Sequence, residues 1–120
     1  MRESRTANEI LLEKRQMLQE VDQIAADELK LYIDNDGELY RRQTQPIIKN
    51  LMKKRAKGVF DIKKAAKLFM YLVDAGAKKY NKDFGTPGPG FGAFDKATRM
   101  AVAKEMAEEF ATNADDGYYD

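Results

Sequence analysis

The chain has 120 residues, of which 43% are hydrophobic, and its 21 Lys and Arg residues nearly balance its 20 Asp and Glu residues, giving a net charge of +1. It contains no cysteine and no histidine, which excludes disulfides, thiolate zinc sites and imidazole-activated nucleophiles. A chain of this length buries one modest core. We therefore expect a non-enzymatic, all-α domain over residues 1–111 and a flexible acidic tail over 112–120, with no metal, cofactor, small-molecule substrate or membrane span.

The first predicted element is a long helix over residues 7–33, with Thr6 and Glu9 spaced as a capping box. At 1.5 Å per residue it would be about 40 Å long, so its N-terminal half either lies on the domain or projects beyond it. Five apolar residues follow the alternating spacing of a coiled-coil seam, which is interrupted at Lys14 and Glu28. This alternative partner-helix interface consists of Ile10, Met17, Val21, Ile24 and Leu31.

The acidic run over residues 34–38 predicts a turn that ends this helix. It is not a calcium-binding loop, because placing Gly37 at the sixth position would make Tyr32 and Gln43 the first and twelfth ligands. A short helix follows over residues 38–43. Thr44 is then expected to cap a new helix over residues 45–57, because Pro46 is tolerated in a first turn.

The clearest pattern in the chain predicts a helix over residues 62–83, with Asp61 as its N-cap and Gly85 as its stop. Its apolar stripe is expected to be most buried at Phe69, Leu72, Val73 and Gly76. At Gly76 we expect a neighbouring helix backbone to approach closely, since an exposed glycine would only destabilise a helix.

Residues 84–94 are rich in glycine and proline and predict a loop. Its glycine spacing matches no nucleotide-binding fingerprint. Asp95 is expected to cap a last helix over residues 96–111, which completes a small bundle of four main helices.

Charge is distributed unevenly along the chain. Residues 1–40 hold five basic and ten acidic residues (−5), residues 41–82 hold thirteen and two (+11), and residues 83–120 hold three and eight (−5). Either the basic segment is a polyanion-binding surface, or the acidic flanks fold over it and neutralise it. In the second case Glu105, Glu108 or Glu109 should approach Lys53, Lys54 or Lys67. Within the segment, Asp74 is expected to form an ion pair with Lys78 one turn later.

The first alternative predicts a nucleic-acid-binding surface on two successive helices. Its candidate residues are Lys49, Lys53, Lys54, Lys57, Lys63, Lys64, Lys67, Tyr71, Lys78 and Lys82. Tyr71 either stacks on a base or lies beneath another helix. The competing hypothesis is a protein-interaction component that binds a host protein or a second copy through the first helix.

Three stretches, LYRRQTQPIIKNLMKKRAKG, KKAAKLFMYLVDAGAKKYNKDFG and FDKATRMAVAKEMAEEF, together resemble a family of small uncharacterised proteins encoded by tailed phages and prophages. The resemblance covers roughly residues 34–111. It implies a viral source, and therefore a setting in the host cytoplasm or the virion, but no activity, ligand or site residue.

Overall fold

A computed structural model describes residues 23–85, 92 and 94–119, and this part of the chain confirms the all-α prediction. Helix α1 covers residues 23–34. Helix α2 runs without interruption through Gly37–Leu39, a π-helical turn at Tyr40–Thr44 and the α-helical Gln45–Ala56. Helix α3 covers Ile62–Phe84 and helix α4 covers Lys96–Asp115. The predicted helix lies outside the described residues over 7–22, and so does most of the Gly/Pro-rich loop.

The predicted caps of α3 and α4 are confirmed. The Asp61 carboxylate accepts hydrogen bonds from the backbone N–H groups of Lys63 and Lys64, at 2.8 and 3.3 Å. The Asp95 carboxylate likewise accepts a 2.8 Å bond from the Thr98 N–H. Gly85 ends α3 with a φ of 65°, a left-handed conformation that glycine adopts without strain. These bonds lower the pKa of Asp61 and of Asp95, because the N–H groups stabilise the charged carboxylate.

The predicted fresh helix start at Thr44 is wrong. Thr44 has α-helical dihedral angles and its side chain makes no capping bond. The helix instead continues through the π-helical turn, in which the Gln45 N–H donates to the Tyr40 carbonyl. This wider turn accommodates Pro46, which has no N–H and whose ring would otherwise crowd the carbonyl four residues earlier.

The predicted end of the last helix near Ala111 is also wrong, because α4 continues to Asp115. Two contacts outside the helix hold this extra turn. Ala114 is buried, and the Asp115 carboxylate lies 2.8 Å from the Arg55 guanidinium of α2. Beyond it, the Tyr119 ring stacks on Phe110 with 5.4 Å between ring centroids.

The core lies where α1 and α2 meet the α3–α4 pair. The four α3 residues predicted to be most buried, Phe69, Leu72, Val73 and Gly76, are all buried. Phe69, Leu72 and Val73 lie in one cluster with Leu29 and Ile33 of α1, Leu51 of α2, and Val102, Ala107 and Phe110 of α4.

Gly76 confirms the expected close contact, although the neighbour is a side chain and not a helix backbone. A Cβ atom built on Gly76 would lie 2.7 Å from Cδ1 of Ile33 and closer still to its Cγ1. Ile33 is itself buried, so its side chain has little room to move. The glycine therefore fixes how closely α1 approaches α3.

Candidate binding surfaces

The predicted nucleic-acid-binding residues lie on the outer sides of α2 and α3. The exposed members are Lys49, Lys53, Lys57, Lys63, Lys64, Lys67, Lys78 and Lys82, whereas Lys54 is half-buried. Tyr71 has 72% of its surface exposed, so the interpretation in which it lies beneath another helix is wrong within the described part of the chain. Lys64, Tyr71 and Lys78 are spaced seven residues apart and therefore share one face of α3.

Within residues 23–85 and 94–119, the carboxylates of the acidic flanks leave eight of these lysines without an ion-pair partner. In the basic segment, the flanking carboxylates pair with Arg42, Arg55 and Lys79. Across residues 23–85 and 94–119, no carboxylate lies within ion-pair distance of the following eight lysines. They are Lys49, Lys53, Lys54, Lys57, Lys63, Lys64, Lys67 and Lys82.

Glu105, Glu108 and Glu109 form no ion pair with Lys53, Lys54 or Lys67 in the described residues, although Glu108 and Lys67 line the same groove. Glu109 forms a 2.8 Å ion pair with Lys30 of α1 instead, and Lys30 also contacts Asp34 at 2.8 Å. Partial burial lowers the pKa of Lys30, but the hydrogen bonds and charges of Asp34 and Glu109 outweigh it and hold the pKa above its usual value. The Glu109–Lys30 pair therefore attaches α4 to α1.

A second flank carboxylate, Asp36, caps the start of α2 and attaches this turn to α3. It lies 2.7 Å from the Lys79 ammonium and accepts a 2.9 Å hydrogen bond from the Leu39 N–H. The bond from Lys79, and then the bond from Leu39, lower the pKa of Asp36. Nearby, the Tyr32 hydroxyl donates to Asp83 at 2.5 Å and the Tyr80 hydroxyl donates to Glu28.

Asp74 forms an ion pair with Arg99 of α4, at 2.6 Å, a partner that the spacing of charges within α3 did not indicate. The Arg99 Nε also donates to the Phe94 carbonyl at 3.2 Å. Only 10% of the Arg99 side chain is exposed, against 33% for Asp74. The pair joins α3 to α4. Met70, one turn before Asp74, and Met100, directly after Arg99, line an open groove between the two helices.

This groove, which we call the α3–α4 groove, has a volume of about 860 Å³. Its floor is apolar and is formed mainly by Ile62, Ala66, Met70, Met100 and Ala107. Four lysines and one glutamate also line it, namely Lys63, Lys67, Lys96, Lys104 and Glu108. The structure thus brings two predicted lysines together with two that the sequence interpretation missed.

Lys96 and Lys104 were missed because only the core stripe of α4 was considered. A second apolar row, Ala97, Met100 and Ala101, lies beside that stripe and between the two lysines. Met100 is 54% exposed. This row could have indicated a second contact surface on α4, because a helix that contacts the core on one side needs no second apolar side.

The outer face of α1 carries the described members of the predicted partner-helix interface. Ile24 is 72% exposed and Leu31 is 63% exposed. The opposite side of α1 contributes Ala26, Leu29 and Ile33 to the core. Ile10, Met17 and Val21 lie outside the described residues.

Other classes of site find no support in the described residues. Across residues 23–85 and 94–119, no group of three or more acidic side chains is placed to hold a metal ion. None of the described helices is long and apolar enough to cross a membrane. Comparisons with protein-family models, curated proteins and solved structures give no match. The described features that point to a function are therefore the lysines on the outer sides of α2 and α3, the α3–α4 groove and the outer face of α1.

Proposed function

We propose that this chain is a non-enzymatic protein that binds a polyanion, most simply DNA or RNA, without reading its sequence. The observation that supports this is the set of eight lysines on α2 and α3 that have no carboxylate within ion-pair distance in the described residues. Uncompensated like charges on neighbouring helices repel one another. Phosphates relieve this repulsion and release condensed counterions when they bind.

The outer face of α3 provides the chemistry for such binding. Lys64 and Lys82 are exposed point charges suited to phosphate oxygens, and the Tyr71 ring lies exposed between them. An aromatic ring among lysines supports base stacking on single strands, which tolerates any sequence. The resemblance to tailed-phage proteins agrees with this proposal and adds a setting in the host cytoplasm or the virion.

The test is a titration of the full chain against fluorescent single- and double-stranded DNA and RNA at several salt concentrations. We expect the logarithm of the association constant to fall linearly with the logarithm of the salt concentration. Removing two phosphate contacts with Lys64→Gln/Lys82→Gln should make this slope shallower by about 2. The matched control is Arg41→Gln/Arg42→Gln, which removes the same charge from outside the proposed residues.

The control should change the slope less than Lys64→Gln/Lys82→Gln does. Equal effects of the two double variants would mean that net charge alone governs binding. The absence of binding to any nucleic acid at low salt would refute the proposed function.

A second function, binding of a partner helix, is favoured by one specific observation. Ile24 and Leu31 lie two turns apart on the side of α1 that faces away from the core, and both are more than half exposed. Two large apolar residues at this spacing are the usual anchors of a helix that contacts another protein. We propose this outer face of α1 as an interaction surface.

A further inference from the structure

The apolar floor and the charged rim of the α3–α4 groove indicate what kind of partner it can bind. Its apolar floor is open to solvent, with Ile62 40% exposed and Met100 54% exposed. Its lining carries four lysines against a single glutamate, a net charge of 4 − 1 = +3. An exposed apolar groove with a polar rim is typical of a protein-binding site, and flexible methionines adapt well to a helical partner. The matching occupant is a helix with an apolar stripe between acidic residues.

The outer face of α1 is such a helix. Its exposed apolar residues, Ile24 and Leu31, are accompanied by the exposed acidic residue Asp27. Glu28 and Asp34 are exposed as well, although each also has a partner in its own chain, the Tyr80 hydroxyl and Lys30 respectively. The single basic residue of the described α1, Lys30, is turned inward with 16% of its side chain exposed, towards Glu109. Charge complementarity therefore favours contact between this face and the lysine rim.

The dimensions agree as well. Ile24 and Leu31 are seven residues apart, which corresponds to about 10.5 Å along a helix. The α3 side of the groove extends from Ile62 to Met70, eight residues or about 12 Å along α3. Two anchors two turns apart thus match the length of the apolar floor.

The α1 that enters the groove has to come from another molecule. Within one chain, α1 contacts the second half of α3, where Ile33 meets Gly76 and Tyr32 lies 5.2 Å from Tyr80 between ring centroids. The groove uses the first half of α3, from Ile62 to Met70. The outer face of α1 also points away from the α3 of its own chain.

We infer that the α3–α4 groove is the docking site for the outer face of α1 of a second copy of this chain. The inference rests on the second proposed function and names its partner. The two contacting surfaces are different, so the contact is head-to-tail and builds either a closed ring or an open chain, unless two copies exchange it reciprocally. Because acidic residues meet lysines, association should weaken as salt concentration rises.

The experiment is light scattering of the full chain over a range of concentrations, with one variant for each surface. Ile24→Asp/Leu31→Asp disables the α1 face, and Met100→Asp disables the groove. All three positions are more than half exposed, so the fold should be retained, as circular dichroism can verify. Val59→Asp is the matched control, because Val59 is 60% exposed and belongs to neither surface.

We expect the wild type and Val59→Asp to associate and each of the two surface variants to have the mass of one chain. An equal mixture of these variants should form a 1:1 dimer, because one retains the groove and the other retains the α1 face. A monomeric wild type would refute the inference. Association that survives Met100→Asp but not Ile24→Asp/Leu31→Asp would refute the groove while retaining the α1 interface. Variants that stay monomeric when mixed would refute the pairing of these two surfaces.

Discussion

The two sides of α3 differ in whether their lysines have carboxylate partners in the described residues. On the side that meets α1, Lys79 lies 2.7 Å from Asp36, and the Tyr80 hydroxyl donates to Glu28. On the outer side, Lys64 and Lys82 have no carboxylate within ion-pair distance in the described residues, and Tyr71 is exposed between them. Within the described part of the chain, the carboxylates of the acidic flanks thus join helices to one another and do not pair with Lys64 or Lys82. A chain with a net charge of +1 can therefore present a strongly basic face.

The largest effect should come from disturbing the α1 side of α3 at its closest contact. Gly76→Leu places a side chain where a single Cβ already meets Ile33 at 2.7 Å or less. We expect the free energy of unfolding to fall by about 2–3 kcal/mol, or the chain to fail to fold. Urea denaturation, monitored by circular dichroism, measures this change in the free energy of unfolding.

Lys82→Leu is the control for Gly76→Leu, because it puts the same side chain on the exposed side of α3. It should change the free energy of unfolding by less than about 0.5 kcal/mol. If Gly76→Leu matched the wild type in stability, the distance between α1 and α3 would not depend on this glycine.

A smaller loss of stability is expected when the carboxylate of an ion pair on α3 is removed. Asp74→Ala leaves the mostly buried Arg99 guanidinium without its 2.6 Å partner. Because a third of the Asp74 side chain is exposed and solvent screens the pair, we expect a loss of about 1–2 kcal/mol.

Lys64→Ala removes an exposed charge from the same helix that has no ion-pair partner in the described residues, and it should cost less than about 0.5 kcal/mol. Chemical denaturation of both variants under one set of conditions makes the comparison. Equal losses would contradict the distinction between the two sides of α3.

The smallest expected effect is on the loss of stability at low pH. The folded state holds the pKa of Asp36 below its usual value of 3.8, through Lys79 and then the Leu39 N–H. A carboxylate of this kind stabilises the fold fully above its usual pKa, and this stabilisation is lost as the pH falls through the lower folded pKa. We expect Lys79→Met to reduce the loss of stability between about pH 5 and pH 2, measured by denaturation at several pH values.

The comparison for this pH effect is Asp36→Asn, which removes the titrating group altogether. It should also reduce the acid-dependent loss, and adding Lys79→Met to it should change the pH dependence no further. If the pH dependence of the double variant differed from that of Asp36→Asn, the effect of Lys79 would come from another carboxylate. One candidate is Glu38, whose carboxylate lies 3.5 Å from the Lys79 ammonium.

The features that the sequence predicted correctly depend on neighbouring residues. Asp61, Asp95 and Gly85 act within one helical turn of their own positions, and the buried stripe of α3 follows from the 3.6-residue repeat. The pairing of Asp74 with Arg99 and of Glu109 with Lys30 was not predicted, because it is set by how helices far apart in the chain meet. The groove was missed for the same reason, since neither α3 nor α4 forms it alone.

The π-helical turn at Tyr40–Thr44 has a consequence for changes in chain length. Leu39 and Leu51 lie on either side of it and are both buried. In an unbroken α-helix, residues 12 positions apart are rotated by about 120° from each other, whereas residues 11 positions apart are rotated by only about 20°. The wider turn thus accommodates one residue more than a regular helix with both leucines inward would hold. A homologue one residue shorter at this point should therefore replace the π-helical turn with an ordinary one and keep the same core.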